Sequence, residues 1–320
     1  MDFVEQLNAW GAQKKPFLFL IDFEQKKPLA WLADECPTDF QYKFNLSGYS
    51  STLLKGPFEK SKPENLIKTP ISFNDYKFKF EKVMDALHRG DSFLINLTIP
   101  TPVSNQDSFQ TYFNQAQSKY VIWLKNEFIS FSPETFVQIK DGKIATFPMK
   151  GTIDASLPNA KETILNDNKE LAEHATIVDL LRNDLSRVAT KVRVTDFRYY
   201  EEIHTHEGKI GQVSSAIEGA LPPDYASAIG TILYDLLPAG SISGAPKNKT
   251  IELIAEIEGQ ERGYYTGIAG YFDGVNLDSC VLIRYLGADH VYHSGGGITF
   301  MSDANAEYQE MIKKVYVPVF

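Results

Sequence analysis

Between Pro16 and Asp34 the chain reads PFLFLIDFEQKKPLAWLAD, two apolar runs around a polar Glu-Gln-Lys-Lys-Pro turn, which predicts a β-hairpin. In FNDYKFKFEKVMDALHRGD, the apolar residues Phe80, Val83, Met84 and Leu87 recur at helical spacing, and the pattern stops at Gly90, a suitable C-terminal cap. FLINLTIPTPV then reads as a strand. The run YVIWLKNEFISFSPETFVQIKDGKIATFPMKGT reads as three short strands joined by polar turns, which favours antiparallel pairing. Helices are expected over about 161–188 and 225–237. The glycine-rich PAGSISGAPK follows, with a helix in KTIELIAEIEG behind it. The tail alternates strands (YTGIAGYFDG, DSCVLIRYLG, HVYHSGGG) and closes with a helix, NAEYQEMIKKVY. Strand runs and helix runs do not alternate one by one, so an α+β fold with a largely antiparallel sheet is favoured over a doubly wound one. The stretch 56–70, GPFEKSKPENLIKTP, is rich in proline and charge and reads as a linker. It separates a short N-terminal β-rich segment, 1–70, packed on the core, from a main domain, 71–320.

Composition narrows the function. Of 320 residues 43% are hydrophobic, enough for a large core. The balance of 32 basic and 41 acidic residues gives a net charge of -9, so no nucleic-acid partner is expected, and an anionic substrate would need local cations or a metal. Cys36 and Cys280 lie far apart with no zinc-like spacing, which predicts no disulfide framework and suits a cytoplasmic setting. The N-terminal MDFVEQLNAWGAQKK lacks a basic stretch followed by a long apolar run, and FLFLI is far too short to cross a bilayer; no membrane association is expected.

Several stretches hold residue types suited to chemistry. PAGSISGAPK combines small residues with a following helix, whose free N–H groups and dipole suit a carboxylate or phosphate. It lacks the Gly-Lys-Ser/Thr ending of a nucleotide loop. SGGGI, a second glycine-rich loop ahead of a helix, suits a backbone pressed against a ligand; a hairpin turn or bulge would explain it too. Glu170 and Glu173 share one helix face and Glu307 and Glu310 another. If both faces met one pocket these carboxylates would suit Mg, although taken alone each pair reads as a solvated face. Lys150, in FPMKGT, sits beside Gly151, with Glu134 of SPET one hairpin upstream. A lysine attacks carbon only when neutral, and a carboxylic acid protonates a leaving hydroxyl only while it holds its proton. A solvent-exposed lysine at a strand end is the plain alternative. Arg284, inside the apolar run VLIRYLG, calls for a carboxylate, from a ligand or from a structural ion pair, and Tyr265 could add a hydroxyl to the same anion. Asp179 and Arg182 of VDLLRNDLSRV read as an internal helix pair.

Together the strings GDSFLINLT, SPETF, FPMKGT, ELAEH, VDLLRNDLSRV, GSISGAPK, YYTGIAGY, IRYLG, SGGGI and EYQEMIKK resemble, in order, those of the chorismate-utilising enzymes, from about Tyr76 to the C-terminus. The resemblance implies a two-layer antiparallel β-sandwich with helices on the outside. It implies that Glu173 and Glu310 ligate Mg with Glu170 and Glu307 in support, and that Lys314 lies one turn beyond the second ligand. It places Arg284 and Tyr265 at the enolpyruvyl carboxylate, and Thr152, Gly244, Ala245, Gly295, Gly296 and Gly297 around the substrate. Relatives making anthranilate resemble PIAGT where this chain has PMKGT; those making 4-amino-4-deoxychorismate carry lysine, as here. The implied reaction is attack by Lys150 on C2 of chorismate, loss of the C4 hydroxyl with Glu134 as general acid, and displacement of the lysine by ammonia at C4. A separate glutamine amidotransferase subunit, in a heterodimer, would supply the ammonia. Anthranilate synthesis, or chorismate binding without turnover, are the alternatives. Leu94 stands where ammonia-using relatives have glutamine and water-using relatives a lysine base, Gln212 stands where many have histidine, and the N-terminal part is short.

Overall fold

Residues 2–45, 47–51, 66–104, 107–205 and 208–318 are described by the computed structural model. They divide into two compact units, neither continuous along the chain. The first comprises Met1–Lys15, Thr135–Ser241 and Asp273–Leu277; the second comprises Pro16–Glu134, Ile242–Phe272 and Asp278–Phe320. The fold mixes helices with two antiparallel sheets.

In the first unit, strand Gly208–Ala220 carries Lys143–Thr146 and Met149–Asp154 along its length and pairs also with Thr190–Thr205. Across this sheet lies the helix Asn168–Leu185. Its buried residues, Glu173, His174, Ile177, Val178, Leu181, Asp184 and Leu185, recur every three or four positions and form one inward face. The helix expected over 161–188 is broken in two, Ala160–Leu165 and Asn168–Leu185. Asp167 causes the break: its side chain accepts the Glu170 N–H at 3.0 Å and caps the second helix. An N-terminal helix, Phe3–Ala12, and the long Thr190–Thr205/Gly208–Ala220 hairpin extend the expected elements. The N-terminal helix docks on Ile229–Leu236 through Asn8, whose Oδ1 accepts the Gly230 N–H at 2.8 Å.

In the second unit, the order Gly244–Ala245, Leu94–Ser104, Val291–Ile298, Tyr285–Gly287, Phe128–Ser130, Tyr120–Leu124, Phe40–Phe44, Tyr49–Ser50 makes one sheet. Leu94–Ser104 is buried over most of its length, because both of its faces are covered. Ile95, Leu97 and Ile99 pack under helices Phe73–His88, Lys247–Glu258 and Ala304–Lys313. Toward the other end of the sheet, Phe40, Phe44, Tyr120, Ile122 and Phe128 pack against Leu18, Leu20 and Ala269, from strands Phe17–Ile21 and Ile268–Phe272. The expected hairpin is present: Phe17–Ile21 pairs with Leu29–Leu32. Of the stretch 56–70 read as a linker, residues 56–65 lie outside the described residues, and Ile67–Lys68 pairs with the end of Leu94–Ser104. Both cysteines are free thiols, and among the described residues no helix is long and apolar enough to cross a membrane.

Candidate active site

Of the residues singled out in the sequence, Lys150, Thr152, Glu170 and Glu173 belong to the first unit. Glu134, Tyr265, Arg284, Gly244, Ala245, Gly295, Gly296, Gly297, Glu307, Glu310 and Lys314 belong to the second.

In the first unit, Lys150 and Gly151 fall within an irregularity of the Met149–Asp154 strand. Met149 faces Ser214 and Thr152 faces Gln212, so one strand spends an extra residue, the signature of a β-bulge. Gly151 adopts φ +94°, which its missing Cβ permits. A Cβ there would stand 2.9 Å from Glu170 Oε2. The bulge turns Lys150 toward the helix, where its Nζ lies 2.7 Å from Glu173 Oε2. The plain reading of the first glutamate pair as a solvated face fails, since the Glu173 side chain is only 3% exposed. Lys169 is a more distant cation, 3.9 Å from the same carboxylate. Glu170 is half-buried, and its Oε2 has no hydrogen-bond donor. Burial pushes its carboxyl above the usual range, with Glu173 adding to the shift and Lys150 opposing it. Thr152 is exposed, opposite Gln212, which donates to Met149 Sδ at 2.9 Å and to Ser214 Oγ at 3.2 Å.

His174 is fully buried against the same strand, with Nδ1 3.3 Å from the Lys150 carbonyl and Nε2 2.7 Å from Ser215 Oγ. Burial lowers its pKa, so the neutral ring is favoured. Its place within ELAEH could have marked it, but a lone histidine on an apolar helix face has no visible partner in a sequence.

In the second unit, Gly295–Gly297 lie inside the strand Val291–Ile298 rather than in a loop, opposite Thr98, Leu97 and Asn96. The three glycines serve different ends. A Cβ on Gly295 would come 2.2 Å from the Leu97 carbonyl oxygen, so close strand approach requires glycine there. On Gly296 it would meet only side-chain tips, Glu307 Oε2 and Lys314 Nζ at 3.5 Å and Glu310 Oε1 at 4.0 Å. Gly296 therefore leaves a bare stretch of backbone facing two carboxylates and an ammonium. Lys314 ties this group together, at 2.7 Å from Glu310 Oε1 and donating to the Gly295 carbonyl at 2.8 Å. Glu307 accepts from Ser302 Oγ at 2.7 Å. Leu94 packs 3.4 Å from where a Gly297 Cβ would be, and its backbone pairs with Ala245. Gly244 would place a Cβ 1.9 Å from the Leu94 carbonyl, so the PAGSISGAPK loop is pinned to this strand.

Arg284 does not sit inside a strand as its apolar neighbours suggested. It joins two strands at φ +52°, a backbone region that side chains other than glycine rarely adopt. Among the described residues its guanidinium meets no carboxylate. It stacks over the Tyr316 ring at 5.5 Å, and its buried Nε has no acceptor. The structural ion pair that would have explained Arg284 is therefore missing among the described residues. Tyr265 is buried beside His293, ring centroids 5.0 Å apart, and burial raises its phenol pKa. Glu134 is held by its backbone, its N–H bonded to Ser132 Oγ at 3.1 Å and its carbonyl to the Val281 N–H at 3.2 Å.

The sequence profile of chorismate binding enzymes matches residues 12–319. The chain belongs to the chorismate binding enzyme family. Among the relatives of this chorismate binding enzyme, a protein of Haemophilus influenzae named only as PabA-like is 47% identical over 99% of this chain and 96% of its own. Component 1 of the aminodeoxychorismate synthase of Klebsiella aerogenes is 35% identical over 77% of this chain. The match spans 57% of that longer relative. In structure, anthranilate synthase component I of Streptococcus pneumoniae superposes with a TM-score of 0.68 at 28% identity, covering 82% of this chain and 62% of that one. The expected fold class and family are thus established, whereas relatives named for two different amination products leave the reaction to the site residues.

Proposed function

We propose that this chorismate binding enzyme makes 4-amino-4-deoxychorismate from chorismate and ammonia, with a glutamine amidotransferase partner as the ammonia source. The observation that carries the reading is Lys150: it lies in a bulge, beside a positive-φ glycine, 2.7 Å from a buried carboxylate. A surface lysine needs no such arrangement, and a nucleophile does, because attack requires a fixed amine. Once its ammonium proton has passed to Glu173, Lys150 attacks C2 of the ring, the ring double bond shifts, and the C4 hydroxyl leaves as water with a proton from Glu134. Ammonia then bonds to C4, the double bond shifts back, and the lysine amine departs from C2. Two displacements replace one difficult one.

Arg284, with a buried Nε lacking an acceptor, takes a carboxylate of the dianionic substrate, and the Tyr265 phenol, within electrostatic reach of the guanidinium, adds a hydroxyl to the same anion. The bare backbone at Gly296 gives the substrate room against Lys314. Among the described residues no three His, Cys, Asp or Glu side chains form a metal cluster. Mg needs few protein ligands when substrate oxygens and water complete its shell, and Glu170 Oε2, buried without a donor, is the kind of hard oxygen it takes. Glu173 and Glu310 would hold Mg with Glu170 and Glu307 in support, and the ion would neutralise the ring carboxylate.

The test is mass spectrometry of the product from chorismate, Mg and ammonium, run beside Lys150→Ala. Aminodeoxychorismate from the wild type and at least a hundredfold loss in the variant, about 3 kcal/mol of barrier, is expected. Anthranilate fluorescence, or unchanged output from Lys150→Ala, would refute the reading.

A further inference from the structure

We propose that His174 and Ser215 are positioning residues that clamp the bulge carrying Lys150. The proposal rests on the reading of Lys150 as the nucleophile. In a strand a one-residue slip sends a side chain to the opposite face. The extra residue between Met149 and Thr152 therefore decides whether Lys150 points at the helix or away from it.

Ser215 holds this bulge by two routes. Its N–H bonds to the Pro148 carbonyl at 3.0 Å, just before the irregularity. Its hydroxyl reaches His174 Nε2 at 2.7 Å, and His174 Nδ1 meets the Lys150 carbonyl at 3.3 Å, within it. For the neutral ring the roles in this chain follow from one partner. A carbonyl only accepts, so Nδ1 carries the ring proton; neutral Nε2 is then the acceptor, and Ser215 O–H donates to it. The Arg198 N–H donates to one lone pair of Ser215 Oγ at 2.9 Å, which leaves the hydroxyl proton available to the ring. Both side chains are fully buried. Because His174 follows Glu173 directly on the helix, one turn of backbone fixes both the carboxylate facing the Lys150 amine and the imidazole facing its carbonyl.

The experiment uses His174→Leu, His174→Asn and Ser215→Ala in the full chain. Nitrogen-resolved NMR of the wild-type imidazole should show the Nδ1–H tautomer, and Ser215→Ala should mix the two tautomers. Acylation of Lys150 by an amine-directed reagent, scored by peptide mass spectrometry against Lys143 in the same molecule, should change at least threefold in His174→Leu. His174→Asn, which keeps a donor, should restore it toward wild type. With chorismate and ammonium, kcat should fall at least tenfold in His174→Leu while KM moves less than twofold; a role confined to folding would lower the melting temperature without this split. If His174→Leu does not fold, Ser215→Ala carries the same readouts. An Nε2–H tautomer, or Lys150 acylation unchanged in the folded variants, overturns the clamp. Activity retained in Lys150→Ala would instead overturn the nucleophile reading, and the tautomer and acylation results would still decide the clamp.

Discussion

The Nζ of Lys150 lies 2.7 Å from Oε2 of Glu173, one partner 27% exposed and the other 3%. The asymmetry matters, since removing the lysine takes the nearest cation from a buried carboxylate, whereas removing the carboxylate leaves a lysine that can still reach water.

Lys150→Ala should therefore destabilise the protein by about 2 kcal/mol at neutral pH, the usual cost when a buried charged group loses a close hydrogen-bonded partner. Lys169, 3.9 Å away, will recover part of it. Glu173→Gln alone should cost less, and the double variant should be more stable than Lys150→Ala. Urea unfolding of the three variants completes the cycle; additive effects would mean that the pair is not coupled in solution.

The two neighbouring glycines allow a sharper comparison. At Gly295 a methyl group meets the Leu97 carbonyl at 2.2 Å, while at Gly296 it finds only side-chain tips at 3.5 Å and beyond. Gly295→Ala should cost about 3 kcal/mol by prising the strands apart. Gly296→Ala should fold normally, and Gly296→Val, which fills the space beside Glu307 and Lys314, should raise KM for chorismate at least tenfold with little change in melting temperature. Equal melting losses at the two positions would show that Gly296 serves packing alone.

These contrasts mark what was legible in the sequence. The helix Phe73–His88, the hairpin starting at Phe17 and the strand Leu94–Ser104 follow from local periodicity, which a chain displays openly. The carboxylate pairs and Lys150 were visible as residue types. Contact across the chain was not visible: Lys150 and Glu173 are 23 positions apart, and the geometry that joins them depends on an extra residue in one strand. Arg284 read as a strand residue because its neighbours are apolar, while its backbone turns at φ +52°. The break at Asp167 was hidden because the capping bond to Glu170 N–H competes with a helix that the surrounding residues would support.

Glu170 gives a pH prediction with a definite sign. Its carboxyl is raised by burial, so the folded state binds the proton more tightly than the unfolded chain. The stability this contributes is fully present below the unfolded carboxylate value and is lost as pH rises through the folded one. Glu170→Gln has no proton to lose. Its melting temperature relative to wild type should therefore climb as pH is raised from about 4 to about 8, in metal-free buffer. A difference that stays flat would mean that solvent reaches the carboxylate.

The buried pair Glu258–Arg262 lies farther from the chemistry and bears on the site through backbone. Both side chains are 2% exposed, and the contact is bidentate, at 2.6 and 2.9 Å. Arg262 also donates to the carbonyls of Ile242 and Asn96, both at 2.8 or 2.9 Å, while Glu258 accepts the Thr98 N–H at 2.9 Å. One ion pair thus joins the start of the SISGAPK loop to the strand opposite Gly295–Gly297. Glu258→Gln leaves a buried cation without its countercharge and should cost about 3–5 kcal/mol. Exchanging both residues for leucine and methionine removes the stranded charge, but the Ile242 and Asn96 carbonyls and the Thr98 N–H would still lose their partners. The double variant should therefore remain less stable than wild type, although more stable than Glu258→Gln, by urea unfolding. Should it match wild type, the pair could be replaced by apolar packing and would have no part in holding the loop. If the loop does depend on it, the double variant should also bind chorismate more weakly, even at temperatures where it is fully folded.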